Sequence, residues 1–135
     1  MRRGKSSLSC AIACAMWLAS GLPASAHHSG AAEFDTTKKI ALTGVVTKVE
    51  WTNPHAHFYI DVKDSSGNVA NWNLELASPN ILIRNGWKRN SIKPGDMVSV
   101  TGSPAKDSLN YGIASVITFP DGHKLNFLAA DEPAK

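Results

Sequence analysis

The chain has 135 residues, 14 Lys and Arg against 11 Asp and Glu, a formal net charge of +3, and two cysteines. Residues 1–26 read as an export leader, and without them 109 residues remain, with 11 basic side chains against 11 acidic ones and no cysteine. That balance gives no ground for a nucleic-acid or anionic-membrane surface, the lack of cysteine excludes a disulfide framework and thiol chemistry, and the length suits one core rather than two.

The leader begins with Arg2, Arg3 and Lys5, continues through an apolar stretch from Leu8 to Leu22, and ends in Ala24-Ser25-Ala26. A basic start, a short apolar run and a small-x-small end are the three parts of a cleavable signal peptide. The apolar run is interrupted by Ser9, Ser20 and Gly21 and falls short of the ~20 residues that span a bilayer. The predicted location is therefore periplasmic or secreted, with no membrane span after cleavage.

Residues 27–38 lack a sustained period and are predicted as an extended arm, which Phe34 would pin if it docks. Residues 39–128 form the predicted domain. Its first strand starts at Ile40 and Leu42, then changes phase at Gly44, so that Val45, Thr47, Val49 and Trp51 take up the odd positions. Such a slip at a glycine predicts a β-bulge there. Thr52-Asn53-Pro54 ends the strand, because proline cannot donate to a ladder.

The second strand, His55 to Val62, alternates without error. Ala56, Phe58, Ile60 and Val62 share one face, and His55, His57, Tyr59 and Asp61 share the other. Asp64 to Asn68 is a hairpin loop by composition. In the third strand Ala70, Trp72, Leu74 and Leu76 face inward, and Asn71, Asn73 and Glu75 face out. Ser78-Pro79 predicts a helix start and Gly86 its stop. Lys93-Pro94-Gly95-Asp96 is a turn. Met97–Gly102, Tyr111–Phe119 and His123–Phe127 are three further strands, and residues 129–135 are a polar tail.

Three meandering strands, one short helix and two more strands is the order of an OB-type barrel. The predicted fold is mainly β, a small OB-like barrel of five to six strands with the helix between strands three and four. A small SH3-like barrel or a short sandwich is the alternative.

Two histidine pairs carry the functional reading. Cleavage after Ala26 would make His27 the first residue, so its α-amine and imidazole would chelate a metal together, and His28 would add a second ring. Nitrogen ligands of this kind suit copper, and zinc next. His55 and His57 lie on one strand face with Cα atoms about 7 Å apart. The hairpin loop sets Lys63 opposite Val69, hence Asp61 opposite Asn71, Tyr59 opposite Asn73 and His57 opposite Glu75. Glu75 would then orient the ring of His57 or bind the ion itself. The competing reading of both pairs is ordinary: a solvated chain end, and exposed or turn-bonded strand histidines.

A metal-free role rests on other residues. Trp51, Tyr59, Asn71 and Asn73 are predicted to share the outer face of strands two and three, where OB-type barrels often take ligands. The partner would be an unidentified small molecule or a periplasmic protein, and not a nucleic acid. An enzyme ranks below both, because no nucleophile, base and orienting group occur together.

The residues also carry a likeness. His27-His28-Ser29 with Ala32-Glu33-Phe34-Asp35, Leu42-Thr43-Gly44-Val45-Val46, and Val49-Glu50-Trp51-Thr52-Asn53-Pro54-His55 together resemble a family of small exported bacterial proteins of unknown function. Trp72, Ser78-Pro79-Asn80, Gly86-Trp87 and Lys93-Pro94-Gly95-Asp96 fit the same pattern. Gly30 departs from it, where the family has an aromatic. The resemblance implies export and a small β-domain, and supplies no activity.

Overall fold

The computed structural model describes residues 30–126. The segment expected to be a leader, His27, His28, Ser29, Phe127 and the expected tail lie outside the described residues. The elements are α1 (Gly30–Glu33), β1 (Ile40–Glu50), β2 (His57–Lys63), β3 (Val69–Glu75), α2 (Pro79–Arg84), β4 (Met97–Pro104), β5 (Tyr111–Thr118) and β6 (Lys124–Asn126).

The sheet order is β3-β2-β1-β4-β5-β6, and β3 also pairs with β5. That last pairing is parallel, joins Asn73, Leu74 and Glu75 to Tyr111, Gly112 and Ile113, and closes five strands into a barrel. The fold is thus mainly β, a closed OB-like barrel with one extra strand and one short helix between β3 and β4. Its interior holds Val46, Phe58, Ile60, Leu74, Val98, Val100 and Ile117, all buried. Each comes from the inward half of an alternating strand, so the period of two builds the core directly.

The β2–β3 hairpin keeps the expected register at every pair, from Lys63↔Val69 to His57↔Glu75. The Asp64 carboxylate fixes the connecting loop by accepting the backbone N–H of Ser66 at 2.8 Å and of Asn68 at 2.9 Å. Beyond the strands, Leu76 N–H donates to the Ala56 carbonyl at 2.8 Å and carries the pairing one residue further on each side.

The bulge in β1 is not at Gly44. Ile40, Leu42, Gly44 and Val46 all point inward, and the register against β2 slips between Val46 and Lys48. Thr47 and Lys48 are both exposed, after which Val49 and Trp51 pack against the core. Val45 and Thr47 therefore face outward, and the expected change of phase comes after Val46 rather than at Gly44. Gly44 has a different reason to be glycine, since a Cβ there would lie 2.3 Å from the carbonyl oxygen of Asp61. The two strands approach so closely that a side chain has no room.

Ser78 precedes α2 in extended backbone, with Pro79 in the first turn, as its sequence predicts. The helix ends where Gly86 adopts φ +84°, a left-handed position that glycine takes without a Cβ penalty. Leu82, Trp87 and Ile92 from this segment are buried in the core.

The arm is not extended throughout, because Gly30–Glu33 makes one helical turn. Phe34 does dock: it is 2% exposed, bridges to Ala105, and lies 5.4 Å from the ring of Tyr111. Asp35 N–H to Pro104 O and Lys106 N–H to Glu33 O, both 2.9 Å, fasten the arm to the β4–β5 connection.

Candidate functional site

The outer face of β2, β3 and the start of β5 carries a connected polar strip. Its centre is Glu75, which is 5% exposed although it occupies an outward position of β3. One carboxylate oxygen meets Nδ1 of His55 and the other accepts the hydroxyl of Tyr111. A buried carboxylate is costly unless both oxygens are bonded, and here both are. The His55 side chain remains 51% exposed, so one edge of the ring is tied to the carboxylate and much of the rest meets solvent.

His57 is held in a parallel manner. Its Nδ1 lies 3.0 Å from Oδ1 of Asn73. Its ring also runs nearly parallel to that of Tyr111, at 19° with centroids 6.4 Å apart. A neutral imidazole that donates from Nδ1 keeps its Nε2 lone pair for another partner. His55, just before β2, and His57, at its start, thus both have Nδ1 against an acceptor on β3.

Two details differ from the sequence reading. Glu75 faces His57 across the ladder, yet its carboxylate bonds His55, and His57 turns to Asn73. The Cβ–Cβ approach fixed by register does not dictate which partner a long side chain reaches. The second detail is Tyr111, absent from the expected set. It begins β5, and only the barrel closure brings it to Glu75.

The Tyr111 phenol is pushed up well beyond its ordinary value. Burial is the first cause and the bond to Glu75 the second, and the charge of Glu33 adds to them. The arm therefore sets an acidic residue beside the same hydroxyl that Glu75 holds.

Of the proposed metal ligands, the structure brings His55, His57 and Glu75 onto one strip, while His27 and His28 lie outside the described residues. Among the described residues, no group of three His, Cys, Asp or Glu side chains is arranged to hold a metal ion. Of the metal-free set, Tyr59 donates to Oε2 of Glu50 at 3.0 Å, and the ammonium of Lys48 sits 5.1 Å above its ring. Asn71 bonds Asp61 at 2.7 Å and Thr47 at 3.2 Å. Asn73 is occupied by His57. Trp51 does not join them, since it packs against the core.

A model of DUF6152, a family of unknown function, matches residues 15–114. The chain belongs to this family. The DUF6152 match thus spans the end of the expected leader, the arm and the barrel as far as Ala114. No curated protein matches the chain. Among solved structures, this DUF6152 chain is similar to two crystal forms of the S. cerevisiae mitochondrial single-stranded DNA binding protein Rim1. One shares 14% identity at a TM-score of 0.47, over 65% of this chain and 98% of that one. The other shares 10% identity at a TM-score of 0.46, over 64% and 97%. Among the described residues, no helix is long and apolar enough to cross a membrane.

Proposed function

We propose that this DUF6152 protein is an exported β-barrel that binds a copper or zinc ion through histidine nitrogens. The observation that carries the reading is the matched restraint of His55 and His57, whose Nδ1 atoms rest on Glu75 and Asn73. Metal-binding histidines are commonly held this way, with the far nitrogen fixed by a carboxylate or carbonyl and the near one left to the ion. Glu75 is then an orienting group rather than a ligand.

Two imidazoles alone make a weak zinc site, since structural zinc takes four ligands. The arm supplies the remainder in this reading. Phe34 anchors it against Tyr111, and His28 lies six residues before Phe34 in the chain. An α-amine on His27, freed by cleavage after Ala26, would favour copper over zinc.

Calorimetric titration of the secreted chain with Cu(II) and Zn(II) tests this. Expected is one ion per chain with Kd below about 10 μM, weakened at least about tenfold by His55→Ala or His57→Ala. Binding weaker than that, or unaltered by both substitutions, rejects it. The outer face of β2 and β3 as a metal-free ligand surface is the second reading, favoured by the exposed Asn71 and Asp61 beside half-buried Tyr59.

A further inference from the structure

Tyr111 is shared by the polar strip and the N-terminal arm. On the strip, its hydroxyl donates to Glu75, and its ring lies nearly parallel to that of His57 with centroids 6.4 Å apart. From the arm, the Phe34 ring packs 5.4 Å away at a tilt of 59°, and Glu33 sets its carboxylate beside the same hydroxyl.

The arm itself is lightly attached. Between Ala32 and Lys39, Phe34 is the one buried residue. The N–H groups of Asp35 and Lys106 add one backbone bond each, and a single bridge joins Phe34 to Ala105. A segment with one buried ring and so few ties opens at lower cost than the barrel strands. It therefore has two states, docked and free, and only the docked state braces Tyr111.

That bracing reaches the histidines. With Phe34 in place, the Tyr111 ring is fixed, its hydroxyl stays on one oxygen of Glu75, and the other oxygen stays on His55. With the arm free, Tyr111 regains rotation and its bond to Glu75 loosens. An ion would then have to order His55 and His57 as it binds, which lowers affinity. The reverse also holds. A bound ion fixes the two rings, hence Glu75 and Tyr111, and leaves the seat of Phe34 formed.

We propose that the arm is the responsive element of the histidine site, and that arm docking and ion binding strengthen each other through the Tyr111 hydroxyl. This rests on the metal reading above and adds to it a regulated partner segment within the same chain.

The test is amide hydrogen exchange by NMR on the full secreted chain, with and without saturating Zn(II), a diamagnetic ion that leaves nearby signals visible. Exchange at Asp35 and Lys106 should slow at least about fivefold, the lower end of ordinary coupling between two sites. Asn68, whose N–H is held by Asp64 in the β2–β3 loop, should not change. Phe34→Ala should weaken Zn(II) binding by the same factor, because coupling is reciprocal. In Tyr111→Phe, which keeps the ring and loses the hydroxyl, the slowing should drop below about twofold. Full slowing in that variant would assign the response to direct ligation by the arm's own histidines and overturn the proposal. An ion that binds the wild type tightly and leaves both amides unchanged overturns it too, and spares the metal reading, whereas absence of binding ends both. The wild-type exchange decides the matter if Phe34→Ala fails to fold.

Discussion

The carboxylate of Glu75 bonds the imidazole of His55, although the residue opposite it in the ladder is His57. This diagonal contact makes Glu75 a keystone between β3, the approach to β2, and Tyr111 on β5. Glu75→Ala should destabilise the domain by about 1–3 kcal/mol, because His55 and the Tyr111 hydroxyl both lose a partner in a partly buried place. Glu75→Gln should fold with a smaller loss, yet weaken metal affinity about 10- to 100-fold by freeing the His55 ring. Urea unfolding and metal titration of the two variants separate the effects.

The arm gives a second prediction. Phe34 is buried against Tyr111 and Ala105. Phe34→Ala should cost about 3–5 kcal/mol if the side chain packs as an ordinary core residue. Backbone hydrogen exchange should rise most at Asp35 and Lys106, whose N–H groups pair the arm with the β4–β5 connection. Unchanged protection at both amides would show that the arm is held without the ring.

Much of this was legible in the residues. The loop Asp64–Asn68 is short and rich in turn formers, so it fixes the register of the whole β2–β3 hairpin, and the Ser78-Pro79 and Gly86 signals bound α2 correctly. The residues alone misplace the bulge, because Val45 and Val46 are both apolar, so either phase fits, and Gly44 is a more familiar signal than Thr47. Tyr111 was not legible, since it lies 36 residues from Glu75 and meets it only through the parallel closure. No local pattern announces a pairing of that separation.

Gly44 supplies a third prediction. A methyl group there would press on the Asp61 carbonyl, which belongs to the paired strand backbone and cannot rotate aside. Gly44→Ala should therefore destabilise by about 1–3 kcal/mol, as overpacking does. Thermal unfolding measures this, and an unchanged midpoint would mean that β1 and β2 can part locally at no cost.

The raised phenol of Tyr111 predicts a one-sided pH effect. The unfolded chain gives up this proton near pH 10, whereas the folded chain retains it through burial and the bond to Glu75. The stabilisation is complete below about pH 10 and is lost as pH rises further, since the unfolded state then binds fewer protons. Tyr59 is raised too, mainly by burial, but is common to both proteins in the comparison. Wild-type stability should fall more steeply than that of Tyr111→Phe between about pH 9 and about pH 11 in urea titrations. Equal slopes would contradict the assignment.

The way β5 divides its edge has a practical outcome. Its first three residues clasp β3, and its last three clasp β6. The terminal hairpin is therefore an outrigger, lashed to a ring already complete without it. A reporter domain or an affinity handle grafted at the exposed Asp121-Gly122 tip would ride on that outrigger, leaving the hoop of five strands and the Glu75 strip undisturbed.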